Sequence, residues 1–261
     1  ETDISKGGNA EKQEFTLLKF KLDAGVIDTD TGVMGSGDSG NENGENYLVA
    51  ATLRPETVYG QTNLWINPDV KYVRVGVEGE NWIMSPEAAE KLAFQKDDVL
   101  LKEDIDPKKL LGKKARAPGI EREVIILPAT FCDPKVGTGI VTSVPSDAPY
   151  DYIALKFLQE HPEECRKYGI KPEEVTNLGL IPIIKTPGYG DFPARELCQK
   201  FGIHSLDDPK LEEATKEVYK VGYHTGVMRE TCREYAGKKV EEAKELIKAR
   251  LLEEGKADVF H

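Results

Sequence analysis

Two short segments concentrate the side chains that could do chemistry. In Thr52-Leu53-Arg54-Pro55-Glu56-Thr57 a guanidinium, a carboxylate and two hydroxyls crowd onto the end of an apolar run and the first turn beyond it. The second segment, GTGIVTSVPSDAPYD from Gly137 to Asp151, is an apolar run that ends in two prolines and two carboxylates, Asp147 and Asp151. No hydroxyl in either segment has a His or Lys beside it to act as a base, so the residues offer binding and orientation but no activated nucleophile. Both segments also have a purely structural reading. Arg54 before Pro55 is pushed extended, Glu56 favours a helix N-terminus, and Thr57 can bond the local backbone. Asp147 and Asp151 can cap a helix over Tyr152 to Gln159.

Other catalytic sets are missing. His161, His204, His224 and His261 are scattered, with no HxH or HExxH pair to seat a metal. Cys132, Cys165, Cys198 and Cys232 form no CxxC pair, so free packed thiols are expected and neither zinc nor a disulfide framework. There is no GxSxG elbow, P-loop or dinucleotide GxGxxG, and Gly188-Tyr189-Gly190 after Pro187 reads as a tight turn. No metal and no cofactor are expected.

The elements that must position the two segments follow from periodicity. Leu18, Phe20 and Leu22 alternate with lysines, the pattern of a half-buried strand over Glu14 to Leu22. Tyr47 to Thr52 is a strand that runs straight into the Pro55 to Gly60 turn, and Val73, Val75 and Val77 with Trp82 to Met84 make a hairpin. Ser85-Pro86 opens a short helix as N-cap and first helical residue. Val124 to Leu127 and Ile140 to Val144 read as two buried strands, expected to be neighbours. Asp208-Pro209 and Lys239 begin two further helices, the last with Val240, Ala243, Ile247 and Leu251 on one face and a stop at Gly255. Residues 32–46 (GVMGSGDSGNENGEN) lack the apolar surface to offset their ordering entropy and read as a flexible loop.

The 261 residues predict one domain over 1–261, and no apolar run approaches the roughly 18 residues of a membrane span. Glu1 to Gln13 lacks the features of a signal or transit peptide, which predicts a soluble cytoplasmic protein with no membrane partner. The net charge of −11 has the wrong sign for holding a nucleic acid by phosphate neutralisation alone, so a polynucleotide would be gripped locally.

Four segments in order carry a family resemblance. ATLRPETVYGQTN at Ala51 to Asn63 and GTGIVTSVPSDAPYDY at Gly137 to Tyr152 closely resemble the two signature segments of the editing domain (connective polypeptide 1) inserted into leucyl-tRNA synthetases. QEFTLLKFKL at Gln13 to Leu22 and PIIKTPGYGDFPA at Pro182 to Ala194 resemble its archaeal and eukaryotic cytosolic branch. The sister domains of valyl- and isoleucyl-tRNA synthetases are the alternative, but the isoleucyl Thr-Pro-Trp pattern and the valyl histidine near Asp147 are both missing here. Relative to the bacterial leucyl pattern, paired threonines become Thr52-Leu53 and a Gly-His-Asp type segment becomes Ser146-Asp147-Ala148.

The resemblance implies an α/β fold, a mixed β-barrel-like core surrounded by helices as in class I aminoacyl-tRNA synthetase editing domains. It implies hydrolysis of the ester of mischarged tRNA-Leu carrying norvaline or isoleucine. The synthetic-site motifs HIGH and KMSKS are missing, so no charging of tRNA is expected. By the same resemblance Asp151 anchors the substrate ammonium, Thr57 filters side-chain size, and Thr52 and Arg54 hold the ester. Asp147 is placed with Thr57 and Asp151 among the substrate-binding residues, as the weaker member, with a structural role as its alternative. The implied partners are the 3′ end of tRNA-Leu and the remainder of the synthetase, the isolated domain being a monomer. A non-catalytic RNA-binding module would show basic strands, yet Tyr47 to Thr52 and Ile140 to Val144 carry no Lys or Arg. A protein-interaction module would use the acidic helix from Lys239, whose charges read more simply as a solvated face.

Overall fold

The computed structural model describes residues 14–23, 25–26 and 44–261. Of the expected flexible loop, 32–43 lies outside the described residues, and Asn46 already belongs to a strand. The chain begins with β1 (Phe15–Leu22) and β2 (Asn46–Thr52), then passes through a 3-10 turn, Pro55–Gly60, into β3 (Asn63–Ile66). The hairpin β4 (Tyr72–Val77) and β5 (Glu80–Met84) leads to helix α1 (Pro86–Ala93), where the Ser85 hydroxyl accepts from the Ala88 N–H as the N-cap. Four strands follow: β6 (Val99–Ile105), β7 (Lys114–Arg116), β8 (Glu123–Pro128) and β9 (Ile140–Ser143). The rest is mainly helical, with α2 (Pro149–Glu160), α3 (Pro162–Arg166), α4 (Pro172–Thr176), β10 (Ile184–Lys185), α5 (Pro193–Phe201), α6 (Lys210–Thr225), β11 (Val227–Met228), α7 (Val240–Glu253) and β12 (Ala257–Phe260).

The main sheet runs β6-β4-β5-β2-β1-β7-β8-β3-β9, with β12 also paired to β1. It is mixed: β2 pairs β5 and β3 pairs β8 in parallel, and the other pairings are antiparallel. The far strand β9 curls back beside β2, which gives the barrel-like core. Two expectations are corrected here. Strands β8 and β9 are not neighbours, because β3, a four-residue strand with all side chains buried, lies between them. Nor is β1 half-buried. Leu18, Phe20 and Leu22 enter the main core, while Leu17 enters a second cluster with Val49, Trp82 and Leu92 under α1. Its lysine Lys19 survives there because it pairs with Glu80 at 2.9 Å and lies 5.8 Å from the Trp82 ring centre, which shields an ion whose hydration the fold has removed.

A third apolar cluster joins α2, α5 and α6 through Ile153, Leu197 and Val218. Helix α7 packs on α6 and on the Pro55–Gly60 turn, burying the Val240, Ala243, Ile247 and Leu251 stripe. These helices therefore close the side of the molecule on which both sequence segments emerge. No helix of the described residues is long and apolar enough to cross a membrane.

Candidate active site

The two sequence segments meet because glycine lets their backbones approach. Gly137 and Gly139 both adopt left-handed angles, φ 55° and 70°, and a Cβ on Gly137 would lie 2.7 Å from that of Ala51 at the end of β2. Between them Thr138 accepts the Ala51 N–H on its hydroxyl at 3.2 Å and the Ser85 N–H on its carbonyl at 2.9 Å. Gln61, fully buried after the turn, completes the join by accepting the Thr142 hydroxyl at 2.9 Å and donating to the Val58 and Pro118 carbonyls.

A cavity of about 650 Å³ opens at this junction, within the size range of small-molecule sites. Thr52, Arg54, Thr57 and Asp151 all line it, so four of the five sequence-predicted site residues share one space. The fifth, Asp147, does not line the cavity. It is buried in the wall, accepts the Ser146 hydroxyl at 2.6 Å and feels the charge of Arg54.

Neither aspartate caps its helix. Ala148 is the N-cap of α2 with no side-chain hydrogen bond, and Asp151 sits in the first turn of that helix. Its Oδ2 accepts the Val144 N–H at 2.7 Å and its Oδ1 the Trp65 indole N–H at 3.0 Å. Burial nevertheless dominates: it pushes the Asp151 carboxyl up to about 7 against the lowering effect of these two donors and of Arg54. Burial likewise pushes Asp147 up to about 6, with Arg54 and the Ser146 hydroxyl opposing it.

Both threonine hydroxyls meet the backbone, Thr52 as acceptor and Thr57 as donor. Thr52 Oγ1 accepts the Arg54 N–H at 3.0 Å, and Thr57 Oγ1 donates to the Arg54 carbonyl at 2.8 Å. What Thr57 has left to offer the cavity is its methyl group. Arg54 donates from Nε to Glu56 Oε1 at 3.1 Å, with its guanidinium carbon 4.3 Å from the centre of the Tyr219 ring. Burial, the largest effect, would lower the guanidinium pKa, but Glu56, Tyr219 and Asp147 together raise it and the group stays cationic. No histidine lines the cavity, and among the described residues no three His, Cys, Asp or Glu side chains converge as metal ligands.

Comparison with known proteins now places the chain. No family model matches it. Over 259 residues it is 42% identical to the leucine-tRNA ligase of Methanothermobacter thermautotrophicus, covering 99% of this chain and 25% of that protein. The chain spans about a quarter of the length of the curated relatives it matches. Among solved structures, GlLeuRS-CP1 superposes with a TM-score of 0.80 at 30% identity, covering 95% of this chain and 99% of that one. The chain belongs to the leucyl-tRNA synthetase CP1 editing-domain family. The Plasmodium falciparum cytosolic leucyl-tRNA synthetase editing domain, at 23% identity and a TM-score of 0.83, shares the fold. The expected mixed sheet with surrounding helices is thus the fold of this family.

In this editing domain the cavity has further walls beyond the predicted site residues. Phe131 and Tyr150 line one side, and Tyr219, Tyr223 and Lys244 line another, from α6 and α7. Trp65, which holds Asp151, lies in the unannounced strand β3. Of these, Tyr150 lies within the second sequence segment, and the four-residue spacing of Tyr219 and Tyr223 on a helix places those two on one face. A second cavity of about 450 Å³ lies beside β7 and β8, with Lys114, Arg122 and Glu174 in its lining and none of the predicted site residues.

Proposed function

We propose that this editing domain hydrolyses the ester of mischarged tRNA-Leu, removing norvaline or isoleucine from the terminal adenosine. The convergence of Thr52, Arg54, Thr57 and Asp151 on one cavity is the observation that carries the reading. A methylene difference is too small to be separated by one binding step, and a second pocket that destroys what fits it is the solution the synthetases use.

In this reading the ionised Asp151 binds the substrate ammonium, an attraction strengthened by the low dielectric of its surroundings. The ester carbonyl lies towards Arg54 and Thr52, whose donors stabilise the oxyanion. Thr57 fills the space that a leucine δ-methyl needs. The attacking group is water: both threonine hydroxyls are already engaged with the backbone and neither has a base beside it. The water oxygen bonds to the carbonyl carbon, the bond to the ribose oxygen breaks, and that oxygen takes the proton. Free amino acid and intact tRNA leave.

The acidic chain holds only the 3′ end, and the remainder of the synthetase supplies the grip on the tRNA body. The domain acts in the cytoplasm and needs no second copy for this chemistry. Incubation with isoleucyl-, norvalyl- and leucyl-tRNA-Leu tests the reading. Deacylation of the first two with leucyl-tRNA spared is expected, and equal stability of all three would refute it.

A further inference from the structure

The guanidinium of Arg54 makes one hydrogen bond, from Nε to Glu56 Oε1. The neighbouring atoms that would complete a two-point fork, Arg54 Nη2 and Glu56 Oε2, are both buried and make no hydrogen bond. A guanidinium tied at one point can pivot about that point, and its four-bond stem does little to resist. Tyr219 stands in the way. Its ring lies 4.3 Å from the guanidinium carbon, the separation of a cation on an aromatic face.

Tyr219 belongs to α6, far from both sequence segments, and lines the same cavity as Arg54. Its helix is fixed independently of the cavity, because Leu211, Ala214 and Val218 are packed into the cluster with α2 and α5. The ring is therefore a stationary platform. With Glu56 holding Nε and the Tyr219 ring 4.3 Å from the guanidinium carbon, Tyr219 blocks one side of the pivot.

We propose that Tyr219 is a positioning residue for ester hydrolysis: its ring fixes the plane of the Arg54 guanidinium and so the direction of the donors that Arg54 offers to the substrate. The inference rests on the hydrolase reading of the cavity and adds a residue that lies outside both sequence segments. Tyr219 acts through Arg54. A directional donor matters most when charge develops on the oxyanion, so the effect falls on kcat more than on KM.

The test measures isoleucyl-tRNA-Leu hydrolysis by the synthetase that carries this domain. Tyr219→Phe keeps the ring and is expected within about twofold of the wild-type kcat. Tyr219→Leu removes the face and is expected to lower kcat about three- to thirtyfold, with KM and the unfolding midpoint unchanged. In an Arg54→Lys background Tyr219→Leu should cost nothing further, since an ammonium has no plane to fix. If the leucine variant melts early, Tyr219→Met supplies the same comparison. A wild-type kcat in Tyr219→Leu overturns the proposal. So does a Tyr219→Phe as slow as Tyr219→Leu, or a Tyr219→Leu loss that persists in full in the Arg54→Lys background. A wild-type enzyme that spares isoleucyl-tRNA is a different result, which refutes the hydrolase reading itself.

Discussion

The indole N–H of Trp65 donates to Oδ1 of Asp151 at 3.0 Å, across 86 positions of sequence. Together with the Val144 N–H on Oδ2, from the residue just after β9, it aims a buried carboxylate from outside its own helix, so the helix that carries Asp151 does not by itself decide where the charge points.

The first prediction separates charge from scaffold at this residue. Asp151→Asn keeps the size and removes the anion, and hydrolysis of isoleucyl-tRNA should fall at least about thirtyfold, as for a lost buried charge pair of about 2 kcal/mol or more. Asp151→Ala also leaves two buried donors without an acceptor, about 1–3 kcal/mol each, and should lower the unfolding midpoint as well. Single-turnover deacylation and thermal melts of both variants check this. Normal deacylation by a folded Asp151→Asn removes the residue from the site.

Thr57 offers a sharper contrast. Its hydroxyl is engaged with the Arg54 carbonyl, so in the proposed reading the methyl is the group that excludes leucine. Thr57→Val should therefore keep leucyl-tRNA safe, whereas Thr57→Ala should admit leucine and hydrolyse the cognate ester about ten- to two-hundredfold faster than the wild type does. Thr57→Tyr should block the misacylated substrates too. An unchanged leucine-to-isoleucine ratio in Thr57→Ala would show that the position supports only the turn.

Stability should fall as pH rises towards neutrality. Asp151 and Asp147 have folded pKa values raised from the ordinary carboxylate range to about 7 and about 6. Between about pH 4 and 7 the folded chain holds protons that the unfolded chain has released, so raising the pH in that window favours unfolding. From these two groups the melting midpoint should be highest near about pH 4 and decline to about pH 7.5. A midpoint that instead climbs over this range contradicts the buried, proton-holding state of the two groups.

Activity should follow the opposite course. In the proposed reading the ammonium pairs with an ionised Asp151, so kcat/KM for isoleucyl-tRNA should rise through about pH 7, after subtraction of uncatalysed hydrolysis, before the substrate amine itself deprotonates at about pH 8. Asp151→Asn should lose the rising limb. A flat profile in the wild type would place the ammonium elsewhere.

Sequence alone determined a good deal, for physical reasons that are local. Apolar runs of strand length announced β2, β8 and β9, and Ser85-Pro86 and Gly255 marked helix ends because caps are written in adjacent residues. The two polar segments stood out for the same reason, and four of the residues named from them line one cavity. Beyond the backbone's reach the sequence was silent. β3 escaped because four buried residues carry no period that separates strand from turn, and its insertion between β8 and β9 overturned their expected pairing. Whether Asp147 and Asp151 cap a helix or face elsewhere depended on which N–H donors arrive from other strands. The answer put Asp151 on the cavity and Asp147 inside the wall. The Tyr219 platform is likewise a product of packing alone, since α6 meets Arg54 only after the sheet has curled and the helices have closed over it.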